Sequence, residues 1–277
     1  MPDLLKAAIL GIVQGLTEFL PVSSTGHLVL LEEGLDVSQD KFGLTFDAAI
    51  HLGTLLAILV YFWETVVRLV VAGFASIGRR RWDLNADSRL AWLIVIGTVP
   101  AGVIGFLFEN TVEDKLRDPA WVATMLILLS GALVLAEVWG KKRLQASQLG
   151  APGALLVGLA QAVALIPGVS RSGITMSAGM LAKLDRQQAA VFAFLLSGPI
   201  VAGAGLKQLY DVAKEIRDGR LGWNDLGFFA VGFILAAATG YLTIRFLLAF
   251  LRDHSLYPFV VYRVLVGAML LAVVWLT

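Results

Sequence analysis

Eight apolar stretches run through the 277 residues, and two of them are cut in the middle by proline, glycine and hydroxyl residues. The other six are Phe46 to Val71, Leu90 to Phe108, Ala120 to Trp139, Ala189 to Leu206, Leu226 to Phe250 and Tyr257 to Leu276. Each is long enough to cross roughly 30 Å of hydrocarbon as a helix. The two that are cut, Leu4 to Leu31 and Ala154 to Leu181, contain PVSSTG and PGVSRSG. Proline removes a backbone donor and breaks a helix, and broken backbone at membrane depth survives only where protein or a water-filled cavity satisfies it. Both stretches are therefore expected to form re-entrant helical hairpins that enter and leave on the same side. The expected fold is an all-α integral membrane protein with about six transmembrane helices and two such hairpins. Hydrophobic residues make up 58% of the chain and charged residues 16%, and no long polar block leaves room for a soluble domain. Residues 1–277 are thus expected to be a single membrane domain. The first segment lacks a basic start and a small-residue cleavage site, so it is expected to be retained. The absence of cysteine excludes disulfides and thiolate chemistry, and a net charge of +1 gives no reason to expect a nucleic-acid partner.

The two interrupted stretches resemble each other. GIVQGLTEFLPVSSTGH from Gly11 can be laid over GLAQAVALIPGVSRSGI from Gly158, which aligns Gln14 with Gln161 and, after a one-residue gap, Pro21 with Pro167. This predicts two pseudo-repeats, approximately 1–145 and 146–277. One hairpin plus three spans crosses the membrane an odd number of times, so the second repeat would be inserted upside down relative to the first. In such an inverted-topology repeat the hairpins enter from opposite faces and their tips meet near the midplane. Orientation follows from Lys and Arg in the short loops. Arg79, Arg80, Arg81, Arg89, Lys141, Lys142, Arg143, Lys183, Arg186 and Arg252 fall on one side. Lys6, Lys41, Lys115, Arg117, Lys207, Lys214, Arg217 and Arg220, mixed with acids such as Glu32, Glu33, Glu113 and Asp114, fall on the other. The first side is expected to be cytoplasmic, with both termini and the entry of the first hairpin outside.

A charged side chain at the bilayer centre costs roughly 2.5 to 3.5 kcal/mol, which makes Glu18 and Arg171 functional candidates. Gln14 and Glu18 are spaced i, i+4 on one helix face, a spacing that suits one cation or one polar group and equally a helix cap or an interhelical hydrogen bond. Ser24 and His27, spaced i, i+3, would project together if a helix restarts after Pro21, as a hydroxyl and its general base must. One of Ser23, Ser24 and Thr25 is expected to cap that helix, and the hydroxyls of Ser23 and Thr25 are candidate substrate-binding groups. PGVSRSGIT sets Arg171 between Ser170 and Ser172 in a turn that opens a helix, where a bidentate fork and free amides suit phosphate. The plainer role for Arg171 is an ion pair with Glu18 that only holds the hairpins together. His51, four residues after Asp47, reads as polar lining rather than a metal ligand. Glu64 and Arg68 read as an i, i+4 pair that snorkels. Trp63, Trp82, Trp92, Trp121, Trp139 and Trp223 read as an aromatic belt. Arg245 and Arg263 fall inside the fifth and sixth spans and receive no role from their sequence positions.

A carboxylate with an amide, a cluster of hydroxyls, an imidazole and an arginine, gathered inside a membrane by two broken helices, suggest handling of an anionic group such as phosphate on something lipid-like. The same residues resemble those of the undecaprenyl pyrophosphate phosphatases of the bacitracin-resistance type. The resemblance rests on an (E/Q)-x-x-x-E motif read as Gln14 to Glu18, on PVSSTGH, and on PGVSRSGIT from Pro167 to Thr175. FWE, FLLSGP and PFVVYR extend it along the chain. It implies removal of the terminal phosphate of undecaprenyl pyrophosphate, recycling the carrier lipid for cell-wall synthesis at the outer side of the bacterial inner membrane. By position it implies that Glu18 and Gln14 hold a divalent cation, Mg2+ or Ca2+, that Ser24 is the nucleophile with His27 as its proton-transfer partner, and that Arg171, Ser170, Ser172 and Thr175 grip phosphate. Water polarised by Glu18 or His27 is the alternative attacking group. Gln14 replaces the second carboxylate that some members carry. The expected partners are the lipid pyrophosphate, membrane lipids and a second copy in a homodimer. On fold alone a secondary transporter or lipid flippase would look the same; an acid-phosphatase type of lipid phosphatase fails because no histidine follows Arg171 at the distance its motif needs.

Overall fold

Both interrupted stretches break where the proline and glycine stand. In the computed structural model, which describes residues 1–35, 37, 42, 44–115, 118–141, 143–217 and 226–276, α1 (Asp3–Phe19) gives way to α2 (Ser24–Gly34). In the same manner, farther along the chain, α7 (Ala151–Val163) gives way to α8 (Arg171–Leu181). Leu20, held before Pro21, is extended with ψ 145°, as steric conflict with a following proline ring requires. The two restarting helices are capped alike. Ser23 (φ 72°, ψ 98°) and Ser170 (φ 73°, ψ 106°) each stand in the positive-φ region and accept a hydrogen bond on Oγ from the amide three residues on, Gly26 at 3.4 Å and Gly173 at 3.2 Å. Gly168 (φ 91°) serves the second break, where a Cβ would come within 2.6 Å of the Val122 carbonyl oxygen.

Five of the other six runs become single helices, with Pro100 and Pro199 inside two of them: α5 (Ala86–Lys115), α6 (Pro119–Trp139), α9 (Arg186–Arg217), α10 (Leu226–Asp253) and α11 (Tyr257–Leu276). All five contain a segment long and apolar enough to cross a membrane. The chain is therefore a multi-pass membrane protein. The first run departs from expectation, because α3 (Leu44–Tyr61) and α4 (Trp63–Gly78) meet at an angle of 81°. A straight helix over Phe46 to Val71 would extend about 39 Å at 1.5 Å per residue, more than the hydrocarbon needs. The surplus is bent aside, with Leu69, Ala72 and Ser76 of α4 buried and Val67, Val71 and Phe74 exposed. Arg68 also departs from expectation: Nε lies 3.5 Å from a carboxylate oxygen of Asp87, on α5, rather than on Glu64. Lys41, Arg117, Lys142, Arg220 and Trp223, which entered the reading of orientation and of the aromatic belt, lie outside the described residues.

Each broken unit packs on a long helix from the opposite part of the chain. α1 lies along α10, which also packs on α3, whereas α7 lies along α5, and α6 along α11. Glycine permits both close approaches: a Cβ at Gly11 would overlap the Gly232 carbonyl, and one at Gly158 would overlap the Gly97 carbonyl. Gly158→Ala is accordingly expected to lower stability by about 2 kcal/mol through overpacking against backbone, read as a lower thermal midpoint in detergent. If the site were slack, alanine would instead raise the midpoint through better helix propensity. At one end of the bundle Glu137 on α6 accepts from Arg186 Nε at 2.8 Å, from Arg186 Nη2 at 2.6 Å and from the Leu256 amide at 2.9 Å, tying the starts of α9 and α11 to α6. α8 is thereby enclosed by α6, α7 and α9, and its first residue faces the end of α1.

Candidate active site

The two capped turns bring the first residues of α2 and α8 onto one carboxylate. Glu18, one residue before the end of α1, takes the Ser24 hydroxyl on Oε2 at 2.7 Å and the Arg171 guanidinium on Oε1 at 3.2 Å. Gln14, fully buried one turn earlier, donates Nε2 to Oε2 at 3.2 Å. Among the described residues, its Oε1 is a buried acceptor without a protein partner, and Arg171 Nη1 is a buried donor without one. An unsatisfied donor and an unsatisfied acceptor within one buried cluster are each costly, and together they fit a ligand that carries negative oxygen and a cation. A cavity lined by Glu18, Phe19, Arg171, Ser172, Thr175 and Phe194 opens beside them.

The hydroxyls divide their work. Ser23 and Ser170 are the caps, which leaves Ser24 free to turn toward Glu18. Ser172 donates to the Leu20 carbonyl at 2.8 Å, stitching α8 to the first break, and sits 3.2 Å from Ser170 Oγ. Thr175 lines the cavity but donates to the Arg171 carbonyl at 2.6 Å. Thr25 is half-buried and, among the described residues, makes no hydrogen bond with this group.

Among the described residues, Ser24 and His27 make their hydrogen bonds to other groups and none to each other. His27 Nδ1 donates to the Ser23 carbonyl at 2.7 Å, and Nε2 is paired with the Tyr262 hydroxyl, also at 2.7 Å. Both ring nitrogens are occupied. Instead, the basic atom within reach of Ser24 is Glu18 Oε2. His51, read from sequence as polar lining, has Nδ1 on the Asp47 carbonyl at 2.7 Å and Nε2 3.9 Å from Glu18 Oε2. Its position one turn after Asp47 was a visible signal, but the sequence does not show that α3 meets α1. Tyr262 and Arg263 were missed as well, although an arginine inside an apolar span is by itself a marker. Arg245 is exposed on α10.

Among the described residues no group of three His, Asp or Glu side chains could hold a metal by itself. Within the cluster, the Glu18 carboxylate and Gln14 Oε1 are oxygens of the kind a hard divalent cation takes.

Comparison with known proteins gives one consistent result. Residues 7–269 match the family described as bacitracin resistance protein BacA. An undecaprenyl-diphosphatase of Rubrobacter xylanophilus is 47% identical over 277 residues, all of both chains. Undecaprenyl-diphosphatases of Desulforudis audaxviator (45% identical, 95% of this chain and 94% of that one) and Moorella thermoacetica (43%, 98% of each) are similar along nearly their whole lengths.

Proposed function

The chain belongs to the bacitracin resistance protein BacA family, and from that premise we propose that the cluster around Glu18 is where it cleaves its substrate. Its activity is that of an undecaprenyl-diphosphatase: it hydrolyses the phosphoanhydride of undecaprenyl pyrophosphate to undecaprenyl phosphate and inorganic phosphate. The observation that carries the proposed chemistry is the short hydrogen bond from Ser24 Oγ to Glu18 Oε2, with Arg171 on the other oxygen of the same carboxylate.

Glu18 accepts the Ser24 proton as Ser24 Oγ attacks the terminal phosphorus. The anhydride bond to the bridging oxygen breaks, the lipid monophosphate leaves with the proton from Glu18, and a phosphoserine remains. Water then attacks that phosphorus, Glu18 takes its proton, and the Ser24 oxygen departs and is reprotonated as inorganic phosphate is released. Arg171 Nη1, the donor without a protein partner, meets the phosphoryl oxygens and neutralises charge that a loose transition state spreads over them. Ser170 and Ser172 line the same turn. His27, with both nitrogens engaged, holds the first turn of α2 in place.

Glu18 and Gln14 are the residues that would hold a Mg2+ or Ca2+ ion, which takes oxygen ligands; Gln14 Oε1 is a buried acceptor that such an ion would satisfy. When bound, the ion supplies further neutralisation of the diphosphate.

In this reading the two broken units are re-entrant hairpins of an inverted repeat, supported by their matching serine caps and by the reciprocal Gly11–Gly232 and Gly158–Gly97 approaches. The protein lies in the bacterial inner membrane with the site open to the outer side, which the exposed Arg79, Arg80 and Arg81 at the end of α4 support as the cytoplasmic face.

The direct test is to trap phosphoserine at Ser24 with a slow isoprenyl pyrophosphate and locate it by mass spectrometry. A fully active Ser24→Ala protein would sink the serine mechanism. Tyr262→Phe, which removes the hydroxyl on His27, is expected to lower kcat/KM about fivefold, the equivalent of one ordinary hydrogen bond of about 1 kcal/mol. An unchanged value would detach His27 from the site.

A further inference from the structure

Arg263 is 1% exposed, on a helix whose other faces carry Val261, Leu265 and Met269 outward. Burying a cation is tolerated only when its donors are satisfied, and here every hydrogen bond it donates goes to a neutral oxygen. Nε reaches the Leu126 carbonyl and Ser130 Oγ on α6, each at 3.1 Å. Nη1 reaches Pro21 in the first break at 3.3 Å and Val169 in the second at 3.2 Å. Nη2 reaches Gly168 at 3.3 Å and Val169 at 3.1 Å. The Pro21, Gly168 and Val169 carbonyls lie between helices, outside any intrahelical ladder. One guanidinium therefore spans both broken turns and anchors them to α6.

The contacts fall just ahead of the parts that matter. Val169 precedes the cap Ser170, and Pro21 stands two residues before the cap Ser23. Both caps hold a positive φ that a serine adopts only when its surroundings over-determine it. Each cap starts the helix whose first residue, Ser24 or Arg171, meets Glu18. We infer that Arg263 is a positioning residue: by fixing the two turns against each other it fixes the distances from Ser24 and Arg171 to Glu18. It touches no reacting atom. Arginine is required because five N–H donors in a planar fork reach three separate segments, whereas a lysine ammonium presents three donors from one point. The inference rests on the reading of Glu18, Ser24 and Arg171 as the phosphatase site.

The test has a geometric arm and a kinetic arm. The chain has no cysteine, so Pro21→Cys with Gly173→Cys creates a single thiol pair. A Cβ built on Gly173 lies 3.4 Å from the Pro21 Cβ, at the near edge of the range of roughly 3.5 to 4.5 Å that a disulfide spans. Mild oxidation is expected to close the pair, and to close it at least about tenfold more slowly when Arg263→Lys or Arg263→Met is added. Equal rates in all three proteins would overturn the inference, as would a pair that fails to close with Arg263 intact. In the cysteine-free chain, Arg263→Lys is expected to lower kcat per folded molecule about 100-fold, as a displacement near 1 Å does, with KM changed less than about threefold. A purely structural role would lower only the yield and thermal midpoint, leaving kcat per folded molecule unchanged, and that result also overturns it. If neither variant of Arg263 can be purified folded, Ser130→Ala, which removes one acceptor, is expected to lower kcat about threefold at constant KM, and no change would count against the inference. Absence of phosphate release from the unmodified protein would overturn the phosphatase reading instead, and the cross-linking arm would still report on the turns.

Discussion

Arg171→Ala is expected to reduce phosphate release from an isoprenyl pyrophosphate by about a thousandfold or more, the range over which an arginine placed on a transferring phosphoryl group acts. Two observations set the size. Arg171 already gives Nη2 to Glu18 Oε1 at 3.2 Å, and its Nη1 is buried with no protein partner. A cation kept only to hold two hairpins together would have its donors spent on protein, whereas one donor here is held in reserve. Arg171→Lys keeps the charge but loses the fork, and is expected to recover less than a tenth of the lost rate. The assay is release of inorganic phosphate by purified protein in detergent, with and without chelator. Equal rates for wild type and Arg171→Ala would break the site as described.

Glu18→Gln comes next in expected size, with a loss of about a thousandfold in kcat, within the range attributed to a general base. The change is nearly isosteric, so packing is kept while the acceptor for the Ser24 proton loses its basicity. It also leaves Arg171 facing an amide, which removes the charge that compensates a partly buried guanidinium. Stability is therefore measured alongside, and the prediction concerns kcat per folded molecule. Glu18→Asp preserves the charge but withdraws it by one methylene from a 2.7 Å hydrogen bond, and should lie between the two. If Glu18→Gln retained full activity while Ser24→Ala did not, the base would have to be sought elsewhere, with His51 at 3.9 Å from the same oxygen the first to examine.

Much of this site was legible because its residues are expensive. Glu18 and Arg171 stand out of apolar stretches that would not tolerate them idly, and proline and glycine beside them announce the breaks. The i, i+4 relation of Gln14 to Glu18 is local helix geometry, and their hydrogen bond follows from it. That one of Ser23, Ser24 and Thr25 caps α2 is also local, since an Oγ reaches the amide three residues on, and the fold settles on Ser23. The same local rule was less useful for Ser24 and His27. Their spacing gives them neighbouring directions on α2, but where each hydroxyl or ring nitrogen goes depends on what is packed there. The Ser23 carbonyl and Tyr262 claimed the imidazole, and Glu18 claimed the hydroxyl.

The bend at Phe62 and the placements of His51, Tyr262 and Arg263 belong to that second category. Hydropathy marks where a chain can be buried and says nothing of which helix it will be buried against. Residence in a membrane, the places where the backbone must break and the polar residues the breaks carry can all be read from the residues in order, because these follow from the cost of charge in hydrocarbon and from backbone sterics over a few residues. The meeting of α1 and α8 on one carboxylate, and the reach of Arg263, 95 residues after Gly168 and 242 after Pro21, across both turns, come from the packing of the helices. Those meetings depend on close helix contacts such as Gly11 on Gly232 and Gly158 on Gly97, whose partners are distant in the chain and carry no periodic signal of each other.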